Sequence, residues 1–242
     1  MGEISTLKIG TWNVWYAHQS RLEVLGEILS KNEADIWVLT ETHDDLMPAS
    51  CAFSTHSEPR PKNWSGIRLG SRWVSIWSKF PMEQIFIPVS DTKRTVAALV
   101  NLGRLGELIV YGTVLPWKDD EIPGWSKHHR VIEQQSAEWL ALRKRFPNTP
   151  LCIAGDFNTD MESGRRYGTK QGVTALKRGL EDCDTFCATE PGKFPLGMLD
   201  VLPIDHIALP NSWQSNSSVV SAWNADKSRL SDHSGMVVEV LL

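Results

Sequence analysis

Apolar and polar residues alternate from Leu7 to Val14, with Leu7, Ile9, Thr11 and Asn13 on one face. This period of two predicts a strand that ends in a polar side chain on its core-facing side. Ser20 precedes Glu23 at the spacing of a capping box, and Leu22, Leu25, Ile28 and Leu29 form an apolar stripe, so a helix is expected from about Arg21 to Asn32. Asp35 to Thr40 is a short apolar run typical of a buried strand, ending at Glu41. Trp73 to Trp77, Val96 to Leu102 and Glu107 to Val114 read as further strands, and the turn-forming residues between them favour antiparallel pairing. Ile132, Trp139 and Leu140 mark a second helix that stops before Pro147. Leu151 to Ala154 is another buried strand, terminated by Gly155-Asp156-Phe157-Asn158. Val173, Leu176 and Leu180 place a third helix after the turn Gly164 to Gly168. Ile204 to Leu209 and Met236 to Leu241 are the last strands. Helices interrupt the strands irregularly, which favours an α/β architecture of two packed sheets flanked by helices over a regular doubly wound sheet.

No repeat or linker divides the 242 residues, so a single domain spanning 1–242 is expected. With 41% hydrophobic and 22% charged residues, the disordered, collagenous and coiled-coil classes drop out. The net charge of -4 means that any contact with a polyanion rests on a local basic patch. No run approaches the roughly 18 apolar residues of a membrane-spanning helix, and the first residues lack a signal-peptide layout. A cytoplasmic protein with no stable membrane association is therefore expected, and nothing calls for a protein partner. Gly2 to Thr6 fit a loose myristoylation pattern, to which the strand starting at Leu7 gives little weight. Cys51, Cys152, Cys183 and Cys187 show no paired spacing and read as free thiols in a reducing compartment.

The chemistry lies at strand ends. Asn13, Glu41, the pair Asp156 and Asn158, and Asp205 each stand where an apolar run stops or starts, and Asp232-His233 precedes the final strand. Alternation points Asp156 and Asn158 the same way. Should the four carboxylates converge, each pair about 4 Å apart repels by roughly 4 kcal/mol at an effective dielectric of about 20, so something must neutralise them. A donor set of oxygens with one imidazole suits a hard cation, Mg2+ or Mn2+, better than zinc. A carboxylate-bound hard cation with open positions is a template for phosphoester hydrolysis. His233 is placed to share charge with a phosphate or to move a proton.

The motifs Thr11-Trp12-Asn13-Val14, Leu39-Thr40-Glu41-Thr42, Gly155-Asp156-Phe157-Asn158, Ile204-Asp205-His206-Ile207 and Ser231-Asp232-His233 occur in the order of the endonuclease/exonuclease/phosphatase superfamily, which the chain resembles from Leu7 to Leu242. That group contains deoxyribonucleases, apurinic/apyrimidinic endonucleases, neutral sphingomyelinases, inositol polyphosphate phosphatases and poly(A)-shortening exoribonucleases. The resemblance implies a four-layer sandwich of two mixed β-sheets flanked by helices. It also implies Glu41 as principal metal ligand with Asn13 beside it, and Asp156 aligning the water with Asn158 on the phosphate. Asp205 and Asp232 would support the metal or orient the histidine, and His233 would contact the phosphate. The family has members with one metal and members with two.

Two positions depart from the family. Nucleases of the group present His or Tyr ahead of the Pro116 strand end, where this chain has Thr113, a candidate hydrogen-bond donor to the substrate that cannot act as an acid near neutral pH. His43, His128 and His129 are candidate substitutes. Trp15 stands where apurinic endonucleases carry an acid. Cations mixed with rings in Trp117-Lys118, in Trp125 to Arg130 with His129 and in Arg165-Arg166-Tyr167 suit a phosphate backbone and a stacked base, while Arg60 to Trp64 carries the same mixture in a loop that the pattern does not place. The expected function is a magnesium-dependent phosphodiester hydrolase acting on nucleic acid or nucleotides by in-line attack of water. The alternatives are hydrolysis of a small phosphoester or phospholipid headgroup, and a binding module that kept the fold without the reaction.

Overall fold

The computed structural model describes residues 6–61, 67–88, 91–164, 166–195, 197–226 and 230–242. Residues 2–5 of the myristoylation pattern, Lys62 to Trp64 and Arg165 lie outside them. In chain order the elements are β1 (Thr6–Asn13), α1 (Leu22–Asn32), β2 (Ile36–His43), β3 (Phe53–His56), β4 (Ser71–Ser78), β5 (Met82–Gln84), β6 (Thr95–Asn101), β7 (Glu107–Val114), α2 (Ser126–Arg145), β8 (Leu151–Asp156), α3 (Lys170–Asp182), β9 (Thr185–Cys187), β10 (Asp205–Pro210), β11 (Ser217–Trp223) and β12 (Gly235–Leu241).

Two six-stranded sheets form, one in the order β11-β12-β1-β2-β4-β3 and the other β5-β6-β7-β8-β10-β9. Each is mixed: β1 runs parallel to β2 and β7 parallel to β8, while the other pairs are antiparallel. Alternation divides every strand between two cores. Leu7 and Ile9 of β1 meet Val110 and Val114 of β7 between the sheets, whereas Trp12 joins Leu25 and Leu29 of α1 on the outer face. Ile109 and Tyr111 of β7 face Trp139 of α2 and Leu176 of α3 on the other side. The result is four layers, helix, sheet, sheet, helix, with a close inter-sheet approach at Gly112, where an added Cβ would lie 2.7 Å from Val74.

Three local expectations need correction. The capping box does not form: Ser20 lies in a 3-10 turn with its hydroxyl against His18, and Arg21 caps α1 without a side-chain bond. The second strand passes Glu41 and continues to His43. The strand containing Trp73 to Trp77 is antiparallel to β2 and β3 in the first sheet, so of the three strands only β6 and β7 pair with each other.

Candidate active site

Topology brings the polar strand ends together. The parallel strands β1 and β2 end at the same edge, and β12, antiparallel to β1, starts there. In the second sheet β8 ends opposite the start of β10, with Asp156 directly across from Asp205. Because the sheets pack face to face, Asn13 reaches across the layer boundary: its Nδ2 donates to Glu41 Oε1 at 3.2 Å and to Asp156 Oδ2 at 3.1 Å. One amide thus shares its two protons between carboxylates from opposite sheets.

Asp156 is further held by Asn158, through its backbone N–H at 2.8 Å and its Nδ2 at 3.1 Å. Strand alternation does not account for this. The strand stops at Asp156, and a left-handed Asn158 (φ 48) folds its amide back. The other Asn158 proton goes to the Leu115 carbonyl at 2.8 Å, so this residue is committed to Asp156 and the backbone instead of pointing at a substrate. Gly155 makes the approach feasible, since a Cβ there would fall 2.1 Å from the Thr113 carbonyl oxygen.

His233 donates from Nδ1 to Asp205 Oδ2 at 2.6 Å, while Asp232 Oδ1 lies 3.9 Å from its other ring nitrogen. Asp205, not its sequence neighbour Asp232, therefore orients the ring. Ser231 fixes the loop by donating to the Asn13 carbonyl at 2.6 Å and accepting the His233 N–H at 3.0 Å. Trp12 Nε1 donates to the His233 carbonyl at 3.1 Å.

Burial would lower the His233 imidazolium, but the facing carboxylates of Asp205 and Asp156 outweigh it and push its pKa up to about 10, so the ring is charged at neutral pH. Burial, opposed by that charge, raises Asp205 and takes Asp156 to about 7. Asp156, Asp205 and His233 offer ligand atoms within 4.8 Å of one another. Asp205 Oδ1 is buried without a hydrogen bond among the described residues, and buried Glu41 Oε2 faces the Arg60 guanidinium at 3.5 Å without a formed hydrogen bond. Surplus buried carboxylate oxygens of this kind fit a hard divalent cation.

The outlying candidates divide. Thr113 faces α2, fully buried, its hydroxyl donating to Gln135 at 2.8 Å, and so is closed off from the cleft. His43 and His128 are buried, their rings held by the Leu69 and Pro116 carbonyls, and burial drives His128 down to about 4. His129 is half-buried against Thr169. Lys118 and Arg166 are exposed, and half-buried Trp117 stacks near Trp73 at 5.8 Å. Tyr167 bridges to the site: its ring meets Trp125 at 5.5 Å, and burial with the charges of Asp156 and Asp232 raises its phenol to about 12. The sequence does not single out Tyr16, and it offers Arg60 only within a cationic and aromatic loop that it does not place. Arg60 Nη1 lies 3.5 Å from Glu41 Oε2, and its guanidinium lies 4.7 Å from the Tyr16 ring. A loop Arg before a strand carries no periodic signal, although Tyr16, three residues past Asn13, was within reach of the motif.

The chain matches the model of the Endonuclease/Exonuclease/phosphatase family over residues 10–233. It belongs to that family. It is thereby a phosphoester hydrolase of the α/β sandwich type. No curated protein matches the sequence. Among solved structures it resembles an AP endonuclease from Archaeoglobus fulgidus, at 19% identity and a TM-score of 0.66 over 96% of this chain and 98% of that one. It also resembles a 3′ phosphatase from Neisseria bound to product DNA hairpin, at 17% identity and a TM-score of 0.67 over 98% and 100%. Sphingomyelinase C from Streptomyces griseocarneus is similar at 15% identity and a TM-score of 0.63, again over 98% and 100%. At such identities the likeness fixes the fold, and the named activities of these structures differ, so substrate choice rests on the site's own groups.

Proposed function

We propose that the chain, acting as one unit over 1–242, is a divalent-cation-dependent phosphodiesterase that cleaves nucleic acid by in-line attack of water. The observation that carries this is the Asn13 amide joining Glu41 to Asp156, which sets a cation-binding carboxylate beside a proton-accepting one. Glu41, with Asn13 beside it and Asp232 as a further ligand, would hold Mg2+ or Mn2+. When bound, such an ion stabilises negative charge on phosphate oxygens. Asp156 accepts the proton of the attacking water and orients it, with Asn158 fixing the carboxylate. Charged His233, steadied by Asp205, donates to a non-bridging oxygen where charge accumulates. Thr113 is not part of this machinery.

Nucleic acid is favoured by the ring Tyr167 beside the carboxylates and by the exposed cations Lys118 and Arg166 on loops, with Trp117 next to Lys118 and His129 in the first turn of α2. The Neisseria phosphatase bound to a DNA product and the archaeal AP endonuclease support the same class. Among the described residues no helix is long and apolar enough to cross a membrane. The four cysteines are free and buried, in keeping with a cytoplasmic setting. Hydrolysis of single-stranded and duplex DNA, RNA, sphingomyelin vesicles and bis(p-nitrophenyl) phosphate, each with Mg2+ and Mn2+, tests the assignment. Oligonucleotides should give the highest kcat/KM. A higher value on the lipid or the aryl diester would move the substrate class, and no hydrolysis of any of them would favour a binding module.

A further inference from the structure

Arg60 is 5% exposed, and its Nη1 has no hydrogen bond among the described residues. Its backbone N–H is tied to Ser71 O at 3.0 Å, at the start of β4, and its guanidinium lies 3.4 Å over the Trp73 ring. Trp73 is itself the residue across the β2–β4 ladder from Glu41, which falls between the pairs Thr40 with Val74 and Thr42 with Arg72. Arg94 stacks on the same indole at 4.5 Å and on Trp117 at 4.9 Å, but its charge is met by buried Asp120 at 2.8 Å. Arg60 has one carboxylate partner among the described residues, and that is Glu41.

Such a pair cannot stay as it is when a dication occupies Glu41. The guanidinium keeps its proton at any working pH, so two positive groups would then face one carboxylate in a buried setting. Removing one partner of a buried pair leaves an uncompensated charge unless a new anion arrives. Nη1, which faces Glu41 Oε2 without a formed hydrogen bond, is a ready donor for such an anion, and Trp73 holds the guanidinium plane in place while contributing its own attraction.

We propose that Arg60 is a phosphate-binding residue that holds Glu41 in the resting protein and passes to a non-bridging phosphate oxygen when the ion and substrate are both bound. The inference rests on Glu41 being the cation ligand. Its consequence is a built-in coupling. An ion alone binds against the charge of Arg60, phosphate alone binds against the carboxylates, and the two together satisfy every group. Linkage makes this reciprocal: phosphate tightens the ion by the same factor as the ion tightens phosphate.

Calorimetric titration with Mn2+, with and without inorganic phosphate, tests it on wild type, Arg60→Met, Arg60→Lys and Glu41→Gln. Arg60→Met should bind Mn2+ alone at least fivefold more tightly than wild type, and the Mn2+-loaded variant should bind phosphate at least tenfold more weakly. Arg60→Lys keeps the charge without the fork, so its Mn2+ affinity should stay within about twofold of wild type while phosphate binding falls at least threefold. Unchanged or weaker Mn2+ binding by folded Arg60→Met overturns the proposal. Should that variant not fold, wild-type phosphate affinity in Arg60→Lys overturns it. Glu41→Gln separates the two levels. If it binds Mn2+ as wild type does, the cation site itself is misassigned; if it loses Mn2+ while the Arg60 variants behave as wild type, the Arg60 role alone fails.

Discussion

Asp205 Oδ2 and His233 Nδ1 meet at 2.6 Å, joining the first residue of β10 to the loop that leads into β12 in the other sheet. The contact keeps the imidazole charged well above its ordinary range, at about 10. A raised histidine pKa makes the charged form, and the stability it brings, fully present below the unfolded value near 6.5 and lost as pH rises through about 10. Asp205→Asn should therefore lower kcat by about 10²–10⁴-fold and move the alkaline loss of activity down by several pH units. A pH profile of kcat/KM for both proteins measures this.

Asp156 gives the same sign over a lower pH window. Burial raises its pKa to about 7 in the ion-free protein, so between about 4 and 7 the folded chain holds a proton that the unfolded chain has released. Stability of the ion-free protein should thus fall as pH rises across that window, and a bound dication should abolish the dependence. Urea unfolding at a series of pH values, with and without Mn2+, checks it. One proton should also be released per ion bound near pH 6.

Ser231 ties two motifs together, one hydroxyl serving the Asn13 carbonyl and the His233 amide. Ser231→Ala leaves both buried backbone groups without that partner and should reduce unfolding free energy by about 1–3 kcal/mol. Activity should fall with it, through kcat more than KM. Denaturant unfolding together with steady-state kinetics separates the two effects.

Thr113 was expected at the substrate and instead bonds Gln135 beneath α2. Thr113→Val should accordingly keep kcat/KM within about threefold of wild type, a barrier change under ~0.7 kcal/mol. Stability should drop by about 1 kcal/mol for the lost hydrogen bond. A larger kinetic defect at unchanged stability would return this residue to the site.

The four-layer architecture was legible where periodicity was strong. Leu7 to Asn13, Glu107 to Val114 and the stripe of Val173, Leu176 and Leu180 each bury the faces that their spacing implies. The short strands β3, β5 and β9 have too few residues for a period to show, and β11 has a register shift between Val219 and Ser221. At the site, the acids and amides were legible because each interrupts an apolar run. Which carboxylate would orient His233 was not, because Asp232 is its neighbour in sequence whereas Asp205 reaches it only through sheet packing. Thr113 illustrates the same limit: motif alignment gives a position, while the face it occupies follows from the alternation of β7, which sends Tyr111 and Thr113 toward α2.

Lys118 and Arg166 are exposed cations on loops that follow the ends of β7 and β8. If each meets one phosphate of a single strand, the double variant Lys118→Ala, Arg166→Ala should raise KM for an oligonucleotide with kcat nearly unchanged. The dependence of log KM on log salt should become shallower by about 1.4. Kinetics across a salt series measures both.

Single-turnover hydrolysis of an end-labelled oligonucleotide in Mg2+ by wild type, Glu41→Gln and Asp156→Asn bears on the site as a whole. Both substitutions should slow the chemical step by at least about 10³-fold while leaving a folded protein, because one removes the carboxylate proposed for the cation and the other the proposed proton acceptor. Rates within about threefold of wild type in both variants would show that hydrolysis takes place elsewhere on the molecule.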